Sequence, residues 1–231
     1  MRQPPTPPTP EQLRMLRWTA SLGAIGAHPL AFRLGVSVAS ARARLNVAER
    51  RGWLRRSRPL AGWPALYTIT GAGLRVADLA NVTPGRVSAS SAMHFLTCAA
   101  VAAALERSYP GHRVLGEREL RGCANERERL LASAPIGNGS GRDGPRHRCD
   151  LLLLARAPLE EPALAVEVEL TVKAPARLLA ICRAWARSRH LAGVLYVAPP
   201  NVARAVERAR RAVGAEQRVA IVELAALPWP K

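Results

Sequence analysis

Arg50-Arg51-Gly52-Trp53-Leu54-Arg55-Arg56, followed after a Pro/Gly loop by Ala65-Leu66-Tyr67-Thr68-Ile69-Thr70-Gly71-Ala72-Gly73, decides how the first third of the chain folds. The two β-type runs, Trp53 to Arg56 and Ala65 to Thr70, flank the loop Pro59 to Pro64 and so predict a hairpin. Upstream, Gly52 stops a predicted helix, Val38 to Arg51, in which Ala41, Leu45 and Ala48 recur at helical spacing. Ser37 or Ser40 supplies its N-cap. A short helix over His28 to Leu34, closed by Gly35, precedes it. Earlier still, Glu11 to Leu22 carries Leu13, Leu16 and Ala20 and ends at Gly23 and Gly26. Downstream, Thr70 to Gly73 opens another helix, reaching about Ala80.

Three short helices, a tight turn before the third and a hairpin after it describe a helix-turn-helix with a wing. The order resembles the winged helix-turn-helix of bacterial regulators, here over residues 11–80. In such a fold the third helix lies in the major groove of double-stranded DNA. Ser37, Ser40, Ala41, Arg42 and Arg44 then face base edges and phosphates, and Arg55, Arg56 and Arg58 of the wing meet phosphates or the minor groove. The rival reading is a winged helix used for protein contact or dimerisation, its arginines a solvated face.

Charge favours a polyanion. The 231 residues hold 34 Lys+Arg against 17 Asp+Glu, a net +17. Residues 1–80 carry 12 basic and 3 acidic side chains, residues 81–231 carry 22 and 14. Only Lys173 and Lys231 are lysines. A GC-rich coding sequence swaps Lys for Arg without changing net charge, so the excess itself carries the argument. Aromatic residues make up 4%, which argues against single-strand stacking platforms. No run approaches the ~18 apolar residues of a membrane span, and the Pro/Thr leader 1–10 lacks the order of a signal peptide. A cytoplasmic, soluble protein without membrane partners is expected. Cys98, Cys123, Cys149 and Cys182 form no Cys-x-x-Cys pair, so neither disulfides nor a zinc knuckle is expected.

Residues 81–91, Asn-Val-Thr-Pro-Gly-Arg-Val-Ser-Ala-Ser-Ser, read as a linker, and 92–231 as an α/β domain with a mixed sheet. Its predicted elements are an amphipathic helix Met93 to Arg107, a strand Arg113 to Leu120, helical character over Asn125 to Ala134 and a mobile Gly-rich loop Pro135 to Pro145. Strands Cys149 to Ala155 and Leu164 to Val172, helix Pro175 to Ser188, strand Gly193 to Ala198, helix Val202 to Val213 capped by Asn201, and strand Arg218 to Leu224 follow. Asp150 opens an apolar strand, and Glu167 and Glu169 interrupt the next. Period-two alternation puts Glu167, Glu169, Thr171 and Lys173 on one face. Carboxylates inside an apolar strand cost free energy unless paired or metal-bound. With Asp150 they form a candidate set of oxygen ligands for Mg²⁺.

An Asp followed by an acidic-x-acidic strand and a helix resembles the PD-(D/E)xK, restriction-endonuclease-like core. That resemblance implies carboxylates holding the metal and a lysine orienting the attacking water. Cys149 stands where the motif has Pro and Glu169 where it has Lys, leaving Lys173 to reach back. The catalytic set would be Asp150, Glu167, Glu169 and Lys173, with Asp150, Glu167 and Glu169 on the metal. The alternative is a binding domain without cleavage, Glu167 or Glu169 being paired to Arg146, Arg148 or Arg177. His94, on a helix face with Cys98, Val101 and Leu105, reads as a structural histidine. His112, His147 and His190 show no ligand spacing, and Gly137 to Gly144 is not a phosphate-binding loop.

Over residues 10–200 the chain resembles the replication-relaxation family of actinobacterial plasmid and mobile-element proteins. The resemblance rests on the two opening stretches, Met93-His94-Phe95-Leu96-Thr97-Cys98, Gly116-Glu117-Arg118-Glu119-Leu120-Arg121, Arg148-Cys149-Asp150-Leu151-Leu152 and Val166-Glu167-Val168-Glu169-Leu170-Thr171. It implies a DNA-binding accessory factor in plasmid replication, relaxation or mobilisation. Two rivals stand beside it: a Mg²⁺-dependent nuclease targeted by the winged helix, and a non-catalytic module that recruits a relaxase or replication protein. A homodimer through Leu178 to Ala192 or the last helix has no heptad run to specify it.

Overall fold

A computed structural model describes residues 7–122, 130–137, 145–157, 159 and 161–226. Helix α1 (Pro10–Leu22) starts where Thr9 and Gln12 cap each other's backbone N–H and Pro10 presets the first turn. The predicted leader therefore ends in a cap, and residues 1–6 lie outside the described residues. Helix α2 (Ala27–Leu34) closes on Gly35, whose φ of 66° is the left-handed geometry a C-cap glycine supplies. Of the two candidate caps for α3 (Val38–Arg50), Ser37 is used: its hydroxyl accepts the Ser40 N–H.

Strands β1 (Leu54–Ser57) and β2 (Leu66–Ile69) pair antiparallel, and Ile25 adds a backbone bridge to Tyr67 that ties the hairpin to the α1–α2 turn. Helix α4 (Gly71–Val76) stops short of the expected Ala80.

Helix α5 (Ala89–Ser108) begins earlier than predicted, because Ser88 caps it. It is not amphipathic over its second half. Cys98 through Leu105 are all buried, since α2 packs on one side and the sheet on another. By length and composition it is a helix able to cross a bilayer, yet half of its apolar window is buried within the chain.

Next come β3 (His112–Gly116), α6 (Glu117–Gly122), β4 (Ser133–Pro135), β5 (Arg146–Arg148), β6 (Leu151–Ala155), β7 (Leu164–Val168), α7 (Pro175–Arg187), β8 (Gly193–Ala198), α8 (Pro200–Ala212) and β9 (Val219–Glu223). The sheet order is β3-β6-β7-β8-β9, antiparallel through β7 and parallel from β7 to β9. The molecule is thus mixed α/β with a mixed five-stranded sheet.

Several predicted bounds shift. The strand expected over Arg113 to Leu120 ends at Gly116 and turns into α6. Of the helix expected over Asn125 to Ala134, the end is β4 and residues 125–129 lie outside the described residues, as does most of the Gly-rich loop. The acidic strand stops at Val168 rather than Val172. Pro199, not Asn201, caps α8, without a side-chain bond.

Alternation along the strands splits the core by sheet face. Val114, Leu151, Leu153, Val166 and Val168 face one cluster with α1 to α5, while Leu115, Leu152, Ala165 and Trp185 belong to the other with α7 and α8. The first cluster runs without a break from Met15 to Val197, so the segment 81–91 connects two parts that share a core. Gly116 marks the contact: its N–H donates to the Ser21 hydroxyl at 2.8 Å, and a Cβ there would lie 2.4 Å from the Ser21 carbonyl oxygen.

Candidate functional sites

Two clusters gather the residues singled out by sequence. The first lies where α3 meets the hairpin. Burying Ala41, Leu45 and Ala48 forces the opposite face of α3 outward, so Ser37, Ser40 and Arg42 are exposed. Arg55, Arg56 and Arg58 are exposed on the hairpin arm. Arg42, Arg56 and Arg58 line one notch of about 250 Å³ together with His28, Trp63, Pro64 and Tyr67. The Tyr67 hydroxyl donates to Asn46 at 2.8 Å. Burial holds the Tyr67 phenol above its ordinary value, while the Arg56 charge pulls it down.

The other basic candidates point elsewhere. Arg55 donates to the Gly85 carbonyl at 3.3 Å. Arg44 is ion-paired with Glu11 on α1 and lines a separate groove of about 500 Å³ with Arg14, Arg33 and Arg107. Helical spacing places Arg42 and Arg44 on one helix, but the position of α1 decides which of them stays free.

The second cluster sits where β5, β6 and β7 meet the N-terminal half of α5. Asp150, Glu167, Glu169 and Lys173 line one cavity of about 380 Å³, and His94 and His147 line it with them. Sequence gives His94 only a structural role on its helix and His147 no ligand spacing, yet both contact the carboxylates. His94 Nε2 lies 3.2 Å from Asp150 Oδ1, and Val168 N–H donates to Asp150 Oδ2 at 2.8 Å. Glu167 is 3% exposed; His147 Nε2 stands 2.7 Å from its Oε1, and Trp185 Nε1 donates to the same oxygen at 3.0 Å. Glu169 is ion-paired with Lys173. The carboxylates are therefore paired, though with histidine, tryptophan and lysine rather than with Arg146, Arg148 or Arg177. Arg146 donates instead to Ser133.

These contacts set the charges. The hydrogen bond with Asp150 raises the His94 pKa against the effect of burial. Burial raises Glu167, opposed by His147, and burial lowers Lys173, opposed by Glu167 and Asp150. Cys98 Sγ lies 3.4 Å from His94, but on the same ring nitrogen that meets Asp150. A nucleophile–base–orienter relay uses both ring nitrogens, and burial pushes the Cys98 thiol well above its ordinary value, so this trio is not a nucleophilic triad.

As placed, Asp150, Glu167 and Glu169 do not fit Mg²⁺. Among the described residues no three His, Cys, Asp or Glu side chains stand where they could hold a metal ion. Each carboxylate spends an oxygen on its own donor. Comparison with protein-family models, curated proteins and solved structures finds no match to the chain.

Proposed function

We propose that this chain is a sequence-selective double-stranded-DNA-binding protein of the winged helix-turn-helix type, acting as an accessory factor in replication, relaxation or mobilisation of a plasmid or mobile element. In this reading α3 enters the major groove, the β1–β2 hairpin is the wing, and the five-stranded sheet with helices on both faces is a restriction-endonuclease-like platform. The observation that carries it is the convergence of exposed Arg42 from α3 with Arg56 and Arg58 from the hairpin. A groove-reading helix flanked by phosphate-seeking guanidinium groups needs that arrangement.

Gel shifts against a selected duplex test it. Arg42→Ala should weaken binding across sequences and reduce the salt slope by about 1, as loss of a phosphate contact does. Arg44→Ala should cost less, because Glu11 already holds Arg44. Equal losses for the two variants, or none for Arg42→Ala, would contradict the proposed orientation of α3.

One observation favours a second reading, hydrolysis of DNA: Asp150, Glu167, Glu169 and Lys173 share a single cavity, although a metal there would require the carboxylates to leave their present donors. Supercoiled plasmid incubated with the protein and Mg²⁺ or Mn²⁺ is the test. Nicking that disappears in Asp150→Ala supports it. Intact plasmid whose mobility shifts with added protein leaves the cluster as structure.

A further inference from the structure

Several arginines elsewhere in the chain are held by partners. Arg33 pairs with Glu106 and Arg121 with Glu117; Arg107 donates to the Phe32 carbonyl, and Arg218 to those of Ser188 and Leu191. Arg42, Arg56 and Arg58 are set apart by being gathered. They line a single notch with His28 and no acidic side chain, and none of them has a hydrogen bond or ion pair with a described residue. Gathered cations without a counter-charge repel one another, and an anion seated among them relieves that repulsion.

The wall of the notch narrows the class of anion. Trp63 is 50% exposed, whereas Trp18, Trp53 and Trp185 are buried. A large indole left in water beside unpaired guanidinium groups offers a flat apolar face next to a phosphate-binding set. At about 250 Å³ the notch lies below the roughly 300–1,000 Å³ of pockets that enclose a whole small ligand. It suits one repeating unit of a longer molecule.

We propose that this notch takes one nucleotide of a bound DNA strand, its phosphate on Arg42, Arg56 and Arg58 and its base stacked on Trp63. The inference rests on the DNA-binding reading and adds to it. In an intact duplex each base face is covered by its neighbours, so Trp63 reaches one only where a base is unstacked, at a gap, a bulge or a melted step. The protein therefore prefers locally opened duplex over intact duplex. An aromatic content of 4% argues against a stacking platform on average, but a single exposed indole at the right place is invisible to an average.

The test titrates the full chain with a labelled intact duplex and with the same duplex carrying a short single-stranded gap. The gapped DNA should bind more tightly, by between about fivefold and about 150-fold, the range that one base stacked on an aromatic ring supplies. Trp63→Ala should erase that preference and Trp63→Phe retain part of it, while Arg42→Ala weakens binding to both DNAs. Trp63 is exposed, so an unchanged thermal transition confirms that each variant folds. Equal affinity for the two DNAs, or a preference that survives Trp63→Ala, overturns the stacking site while leaving duplex binding intact. Quenching of the Trp63 emission by inorganic phosphate, without a preference between the DNAs, marks a free-anion site and overturns it too. Failure to bind either DNA at low salt removes the DNA-binding reading itself.

Discussion

Glu167 shows how a single residue ties α7 and β5 to the sheet. Its carboxyl is buried, and one oxygen receives both Trp185 Nε1 and the His147 ring. Glu167→Ala leaves those partners without an acceptor, which should destabilise the fold by on the order of 1–3 kcal/mol per buried donor. Glu167→Gln keeps an acceptor and should lose less; urea denaturation of both variants decides, and an Ala variant as stable as wild type would contradict the account. His94 adds a pH dependence. Its folded pKa is raised by Asp150, so its contribution to stability is full below the unfolded value of about 6.5 and is lost as pH rises through the folded one. The thermal stability of His94→Gln should therefore fall further below wild type at acidic pH than at alkaline pH. A gap independent of pH would show that the pair does not form.

At the scale of elements, local chemistry was legible wherever it is punctuated. Gly23 and Gly35 end helices through their positive φ and Ser37 begins one through its hydroxyl, so α1, α2 and α3 follow closely from sequence. Ser37→Ala removes the α3 cap and should cost about 0.5–2 kcal/mol, read as a lowered urea midpoint. The acidic strand was overrun for a physical reason. The alternation Val166-Glu167-Val168-Glu169-Leu170-Thr171 continues chemically, but the registered pairing with β8 ends at Val168–Val197, followed by one bond from Glu169 N–H to the Val197 carbonyl. Asp150, Glu167, Glu169 and Lys173 stood out in sequence because charges interrupt apolar strands. His94 and His147 did not, because what makes them neighbours of those carboxylates is the packing of α5 and β5 against the strand ends. The signal available was one histidine on an otherwise apolar helix and another three residues before Asp150. Likewise Arg44 was equivalent to Arg42 until the position of Glu11 separated them.

For the whole molecule, the shared core predicts that the residues before and after 81–91 unfold together. A single calorimetric transition is expected, and two resolved transitions would contradict it. Gly116→Ala tests the joint directly: the added Cβ meets the Ser21 backbone at the contact between α1 and β3. Overpacking of this kind costs typically 1–3 kcal/mol, and here it should lower the one transition as a unit. Such a joint holds the basic face of α3 and the hairpin in a fixed relation to the sheet. On the proposed reading this face binds DNA through Arg42, Arg56 and Arg58. The most direct measurement is the affinity of the full chain for duplex DNA across a range of salt concentrations, for wild type and for the variant with all three arginines changed to alanine. Wild type should weaken steeply with salt, and the variant's log–log slope should be shallower by roughly 0.9 for each phosphate contact removed. An unchanged affinity and slope would contradict the claim.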